Sequence, residues 1–163
     1  MSASEDVVAA PPGAANDWHA THVARLLDSH ARLTGRALHG AGRCDAAGAR
    51  AVYDADYALL SHGHGTDPCF DYANRTALAL FELDWATLLA TPSRASAEPG
   101  DQAAREAFMR AVREQGYASG YSGVRISARG RRFLIEDATV WNVIDVDGTY
   151  HGQAASFARW RFL

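Results

Sequence analysis

YALLSHGHGTDPCFDYANRTALALF, residues 57–81, is the stretch on which the reading of the fold turns. Tyr57–His62 is a short apolar run. Two Gly, an Asp and a Pro follow within Gly63–Pro68, a cluster that stops regular structure and marks a turn. Cys69–Tyr72 resumes the apolar run, so the two segments predict a β-hairpin. Asn74 then stands before Leu78, Leu80 and Phe81, where its side chain can cap a helix over Asn74–Leu83. This places two strands ahead of the main helices.

The flanks extend the pattern. Asp84 caps a short turn carrying Trp85, Leu88 and Leu89, and Thr91-Pro-Ser-Arg94 breaks it. Pro99 opens a longer helix, 99–115, with Ala104, Phe108, Ala111 and Val112 on its buried face and Gly116 at its end. From residue 119 the period becomes two. Strands are predicted over 121–128, 132–145 and 149–162, turning at Arg129-Gly130 and at Asp145-Val-Asp-Gly148. At the other end, Asp17 is read as an N-cap. Val23, Leu26, Leu27, His30 and Leu33 follow at helical spacing up to Gly35. A loop over 36–47 leads to a short helix over 48–54. Two early and three late strands can form one antiparallel five-stranded sheet with helices on one end and one face, an α+β arrangement.

Composition bounds the function. A chain of 163 residues with 48% hydrophobic content suits one domain, read as 16–163 after a disordered tail at 1–15. Net charge is −3, which offers no basic field for nucleic acid. All basic residues are Arg, and without Lys no phosphate-binding P-loop can exist. Two cysteines without C-x-x-C spacing suggest reduced thiols and a cytoplasmic setting. The N-terminus lacks the basic and apolar regions of a signal peptide, and no apolar run is long enough for a membrane span.

Several ordered motifs sharpen this. Ser61-His-Gly63, Asp67-Pro-Cys-Phe-Asp-Tyr-Ala-Asn74 and Ala77-Leu78 look like a PAS signature. Phe81-Glu-Leu-Asp-Trp85, Pro92-Ser-Arg94, Gly120-Tyr-Ser-Gly-Val-Arg125, Gly130-Arg-Arg-Phe133, Val140-Trp-Asn142 and Gly152-Gln-Ala-Ala155 follow in order. Over residues 17–162 the chain resembles the MEKHLA domain. That PAS-like family occurs as short bacterial proteins and at the C-terminus of class III homeodomain–leucine-zipper factors of plants. The resemblance implies a PAS-like five-stranded antiparallel sheet with helices packed on one face plus an N-terminal helix, here in the bacterial stand-alone form. It implies a sensory or regulatory role without catalysis, toward an unidentified small molecule or a regulatory protein. The homeodomain and zipper are absent, so DNA binding does not carry over and the signal must leave by protein contact. Photoactive flavin-binding PAS domains carry a Cys in an N-C-R-F stretch. Here Ser93 stands nearest and Cys69 lies on the second strand, which argues against that photochemistry.

A pocket between sheet and helices is what such a fold provides. Strand alternation groups Phe133, Ile135, Asp137, Thr139, Trp141 and Val143 on one face. It groups Tyr121, Gly123, Arg125 and Ser127 on a second strand, and His151, Gln153, Ala155 and Phe157 on a third. The candidate ligand-binding set is Asn74, Phe81, Trp85, Arg94, Tyr121, Arg125, Phe133, Trp141, Gln153 and Phe157. Aromatic walls with a few polar groups suit a small aromatic or polar ligand, and Arg94 or Arg125 could clamp a carboxylate. The same aromatics would also fill an ordinary core, Asn74 could be only a cap, and Arg125 could pair with Asp137.

Other chemistry is weakly supported. His62-Gly-His64 with Asp67 and Cys69 has ligand types but not the spacing of a metal site, and a solvated turn explains it. His19, His22 and His30 fit an amphipathic helix, and that helix, 18–33, could form a homodimer contact. No G-x-S-x-G elbow is present. The rival function is a small enzyme on a cone-shaped α+β barrel similar to ketosteroid isomerase, with Asp137 as base. A third reading is a protein-interaction domain with a filled core.

Overall fold

The computed structural model describes residues 10–39, 44–97 and 102–163. Most of the expected tail, Pro99 and the side chain of Ala104 lie outside the described residues. A 3-10 turn at Ala14–His19 precedes α1 (Ala20–Thr34). Asp17 does not cap this helix. Asp17, Trp18 and His19 all take left-handed conformations, with φ of 52°, 58° and 57°, so the helix starts only at Ala20. That turn sets Trp18 against Tyr53, ring centroids 5.8 Å apart. α1 ends as expected, with Gly35 at φ 74° donating its N–H to Ala31 O.

α2 (Ala46–Tyr53) is capped by Asp45, and β1 (Ala58–His62) and β2 (Phe70–Ala73) form the hairpin. α3 (Arg75–Phe81) and α4 (Trp85–Leu89) are capped by Asn74 and Asp84. A 3-10 turn at Ser93–Ser96 leads toward α5 (Gln102–Gln115), which stops at Gly116, φ 87°. β3 (Tyr117–Ile126), β4 (Arg132–Ile144), β5 (Tyr150–Phe157) and β6 (Arg159–Phe162) complete the chain. β3 starts four residues earlier than predicted. Its register is broken between Ala118 and Tyr121, where Gly120 has φ 79°, which hides the alternation.

The antiparallel sheet runs β2-β1-β5-β4-β3. β6 continues the line of β5 on β4, so the expected single last strand is split in two around Ala158. The split lies opposite a bulge. Asp137 has φ 55°, and this extra residue exchanges the faces of β4. Before it, Phe133 and Ile135 point toward α3 and α5. After it, Ala138 and Val140 take that side and Trp141 and Val143 turn to α1. The uniform face predicted for residues 133–143 is therefore wrong, because a one-residue slip moves every later side chain across the sheet.

α1 lies on the outer face of the sheet. Ser29 Oγ donates to Asn142 O at 2.7 Å and accepts from Ile144 N–H at 2.9 Å. Val23, Leu26, Leu27 and His30 are buried beneath the helix, against the chain's own sheet. The outward face carries Thr21, Asp28 and Arg32, the last two paired at 2.9 Å.

Two of the buried histidines make the fold acid-sensitive. Burial, above all, holds His30 below the ordinary histidine pKa, against the opposing bond to the Arg36 carbonyl. Burial does the same for His19 against the Ala10 carbonyl. With folded values depressed, the unfolded chain takes up protons first, so stability falls as pH drops below 6.5 toward the folded values. Thermal midpoints measured between about pH 7.5 and 5.5 are expected to decline, and less so in His30→Gln. Equal declines in both proteins would contradict this.

Candidate functional site

The face of the sheet opposite α1 is hollow. Where β1, β5 and β4 run side by side, Ala155 and Ala138 present only methyl groups, and Leu60, Ile135, Val140 and Phe157 ring the depression. α3 contributes Phe81, and α5 contributes Phe108 and Met109. The depression is partly open to solvent, and its cavity measures about 170 Å³.

The segment around the 3-10 turn closes it and is pinned at both ends. Phe70 N–H bonds Thr91 O at 3.0 Å and Ser93 N–H bonds Pro68 O at 2.9 Å, fixing one end to the hairpin. An antiparallel bridge between Ala97 and Arg125 fixes the other end to β3. Phe108 packs on Tyr121 with centroids 4.7 Å apart, holding α5 over the same strand.

The polar side chains on the lining are Ser61, His62, Ser93, Arg94, Ser96, Tyr121, Arg125 and Gln153. Arg125 is half-buried, with its guanidinium carbon 5.3 Å from the Tyr121 ring centre and a 3.4 Å contact to Val124 O. Gln153 donates from Nε2 to Asn142 Oδ1 at 3.1 Å, and Asn142 in turn donates to Val112 O at 3.3 Å. The Gln153 amide is thus held in place, and among the described residues its carbonyl oxygen has no hydrogen-bond donor. Among the described residues, the lining holds no Asp or Glu.

Of the ten candidate residues, Phe81, Arg94, Tyr121, Arg125, Gln153 and Phe157 come together around this cavity. The other four do not. Trp141 is on the α1 side, fully buried, with Nε1 donating to Leu26 O at 3.1 Å. Trp85 packs edge-on against His19 and Tyr72 at the β2 edge of the sheet. Phe133 is a core ring behind Phe81, centroids 5.2 Å apart. Asn74 is fully buried and spends its amide on four backbone groups. Arg94 touches the cavity with its stem, but its charged end reaches outward to Asp67 at 2.8 and 3.2 Å. It is not available as a clamp. Leu60, Phe70, Met109 and Ala138 were missed, and Ala155, grouped with Gln153 and Phe157 on the pocket face, does line the cavity. Alanine on central strands carries no signal of its own in a sequence, and only the tertiary fold turns it into space.

Asp137, the base of the enzyme reading, is an exposed bulge residue 3.6 Å from Arg159 and outside the cavity. Nor does it meet Arg125. Ser61, His22 and Asp71 do meet on the α1 face, but Ser61 Oγ donates to Asp71 Oδ1 at 2.5 Å and accepts from His22 at 3.1 Å. The imidazole donates to the hydroxyl rather than taking its proton, which is not a nucleophile's arrangement. Burial alone would raise Asp71, yet the His22 and Ser61 bonds and nearby His62 hold it below the usual carboxylate range. His62 donates from Nδ1 to Gly63 O at 2.7 Å, and among the described residues no three His, Cys, Asp or Glu side chains are grouped to hold a metal. No described helix is long and apolar enough to cross a membrane.

Comparison with solved structures shows the fold. A PAS domain from Colwellia psychrerythraea superimposes with TM-score 0.56 at 16% identity, over 71% of this chain and 92% of that one. An RNA-binding light-oxygen-voltage receptor gives 0.54 at 23% identity, over 66% and 30%. The light-state dimer of the fungal blue-light photoreceptor Vivid gives 0.52 at 19%, over 63% and 77%. The fold is therefore PAS-like. Among curated proteins, the homeobox-leucine zipper protein ATHB-9 of Arabidopsis thaliana is 29% identical over 151 residues, 88% of this chain and 18% of that protein. ATHB-14 of the same plant is 36% identical over 100 residues, 59% of this chain and 11% of that protein. The chain thus spans less than a fifth of either relative. Both are plant proteins, so the bacterial setting expected from the resemblance gains no support. The MEKHLA domain matches residues 20–162, and the chain belongs to that family.

Proposed function

We propose that this domain is a sensory module that takes up a small molecule between its sheet and α3, α5 and the 3-10 turn, and passes the occupancy to a partner protein. The observation that carries the reading is the cavity of about 170 Å³, walled by aromatic and aliphatic side chains together with polar ones from Ser61, His62, Ser93, Ser96, Arg125 and Gln153. A path outward is built into the sheet. Val140 faces the cavity and its neighbour Trp141 bears on α1, while Gln153 faces the cavity and Ala154 pairs with Trp141. A ligand that shifts β4 or β5 therefore displaces α1, the helix a partner would read.

Flavin does not fit these residues. A cavity of about 150 Å³ holds one benzene-sized ring, and this one is close to that size. Of the cysteines, Cys69 bridges to Pro92 rather than lining the space, and Cys44 donates to Ala20 O at the start of α1. The light response of the similar photoreceptors has no thiol here to form on. Two free thiols, with burial pushing Cys44 up to about 11, accord with a reducing compartment such as the cytoplasm.

Native mass spectrometry of the protein purified from the cells that make it tests the proposal. The expected result is a co-purifying small mass that is absent from Ala155→Leu, whose added carbons occupy the cavity. Apo masses for both proteins would favour a pure interaction domain instead.

A further inference from the structure

The charge pattern of the cavity identifies the ligand class, given the ligand-binding reading above. We infer that the cavity takes a single-ring aromatic carboxylate, with the ring among Phe81, Phe157 and Ile135 and the carboxylate on Arg125.

Three observations converge on this. The volume, about 170 Å³, leaves room for one six-membered ring and little more. The lining has cationic side chains and, among the described residues, no acidic one. Of its two arginines, Arg94 is already neutralised by a two-point bond to Asp67, whereas Arg125 has no carboxylate partner among the described residues. Among the described residues the half-buried guanidinium meets a ring face and one long carbonyl contact, and a planar carboxylate would satisfy two more of its donors at once.

The position of Arg125 gives the ligand its direction. It sits where Ala97 bridges to β3, at the rim between the 3-10 turn and α5, with Ser93 and Ser96 beside the same rim. Phe81, Ile135 and Phe157, all buried, form an apolar wall, and Ser61 and His62 also belong to the lining. An amphipathic ligand therefore enters ring first and leaves its anionic end against Arg125. The carbonyl oxygen of Gln153 can accept from a ring hydroxyl, so hydroxylated rings belong to the same class.

The test is calorimetric titration with benzoate, benzamide and toluene against the wild-type domain, Arg125→Gln and Ala155→Leu, with far-UV circular dichroism and thermal melts confirming that each variant folds. Benzoate is expected to bind the wild type about 10- to 100-fold more tightly than it binds Arg125→Gln, the range for a lost charge-assisted pair. Toluene is expected to bind both equally, and Ala155→Leu to bind neither. Benzamide binding as well as benzoate, or benzoate indifferent to Arg125→Gln, would overturn the carboxylate assignment while leaving the cavity reading intact. Failure of all three probes to bind the wild type would overturn the cavity reading itself.

Discussion

Trp141→Ala is expected to cost about 3–5 kcal/mol of stability and to leave the affinity of the cavity for a small ring unchanged. Trp141 is the largest fully buried side chain of the domain. Its indole lies between β4 and α1, edge-on to His30 at a centroid distance of 4.8 Å, and its N–H is bonded to Leu26 O. Truncation empties the space on which α1 rests, which adds a cavity penalty to the lost transfer energy. Ring binding is indifferent because the sheet stands between Trp141 and the ligand. Denaturant unfolding measures the first part and a toluene titration the second. A stability change near zero, or a loss of toluene binding in a folded variant, would place Trp141 in the site and contradict the bulge at Asp137.

Asn74→Ala is the other change of comparable size. Asn74 Oδ1 accepts from Leu59 and Ala77 N–H, both at 3.1 Å, and Nδ2 donates to Val52 O at 3.0 Å and Tyr57 O at 2.8 Å. One amide thus joins α2, β1 and α3. Removing it strands four backbone groups without access to water, each worth about 1–3 kcal/mol when left unpaired. With partial relaxation the expected loss is about 3–5 kcal/mol, a large share of the roughly 5–15 kcal/mol that holds a domain folded. Asn74→Asp should be nearly as damaging, since it keeps both acceptors but gives up the donors and buries a charge. Denaturant midpoints test both. If Asn74→Asp unfolds like the wild type, the donor half of the network is not structural.

Much of this fold was legible because its signals are local. The Gly- and Pro-rich turn at 63–68, the caps Asn74 and Asp84, and the stop signals Gly35 and Gly116 each announce an element within a few residues. The spacing of Val23, Leu26, Leu27 and His30 identified the buried face of α1. What failed was not local. Nothing in Arg132–Ile144 marks Asp137 as a left-handed residue, because an aspartate in a strand-like run carries no bulge signal. Yet that single residue decides which side of the sheet Trp141 occupies. Trp85 was assigned by its place in a motif, while its neighbours His19 and Tyr72 come from distant parts of the chain. Arg94 and Arg125 were indistinguishable until Asp67 was seen to reach one of them. Asn74 was legible as a cap, but its place in the ligand-binding set was not borne out, because its amide is spent on four backbone groups.

The claim on which the account rests is that one face of the sheet is open to a small molecule and the other is closed by α1. A crystal of the protein pressurised with xenon measures this directly. The account predicts a xenon peak between Phe81, Phe157 and Ile135, and none between β4 and α1. A peak under α1, or no peak beside Phe157, would contradict it.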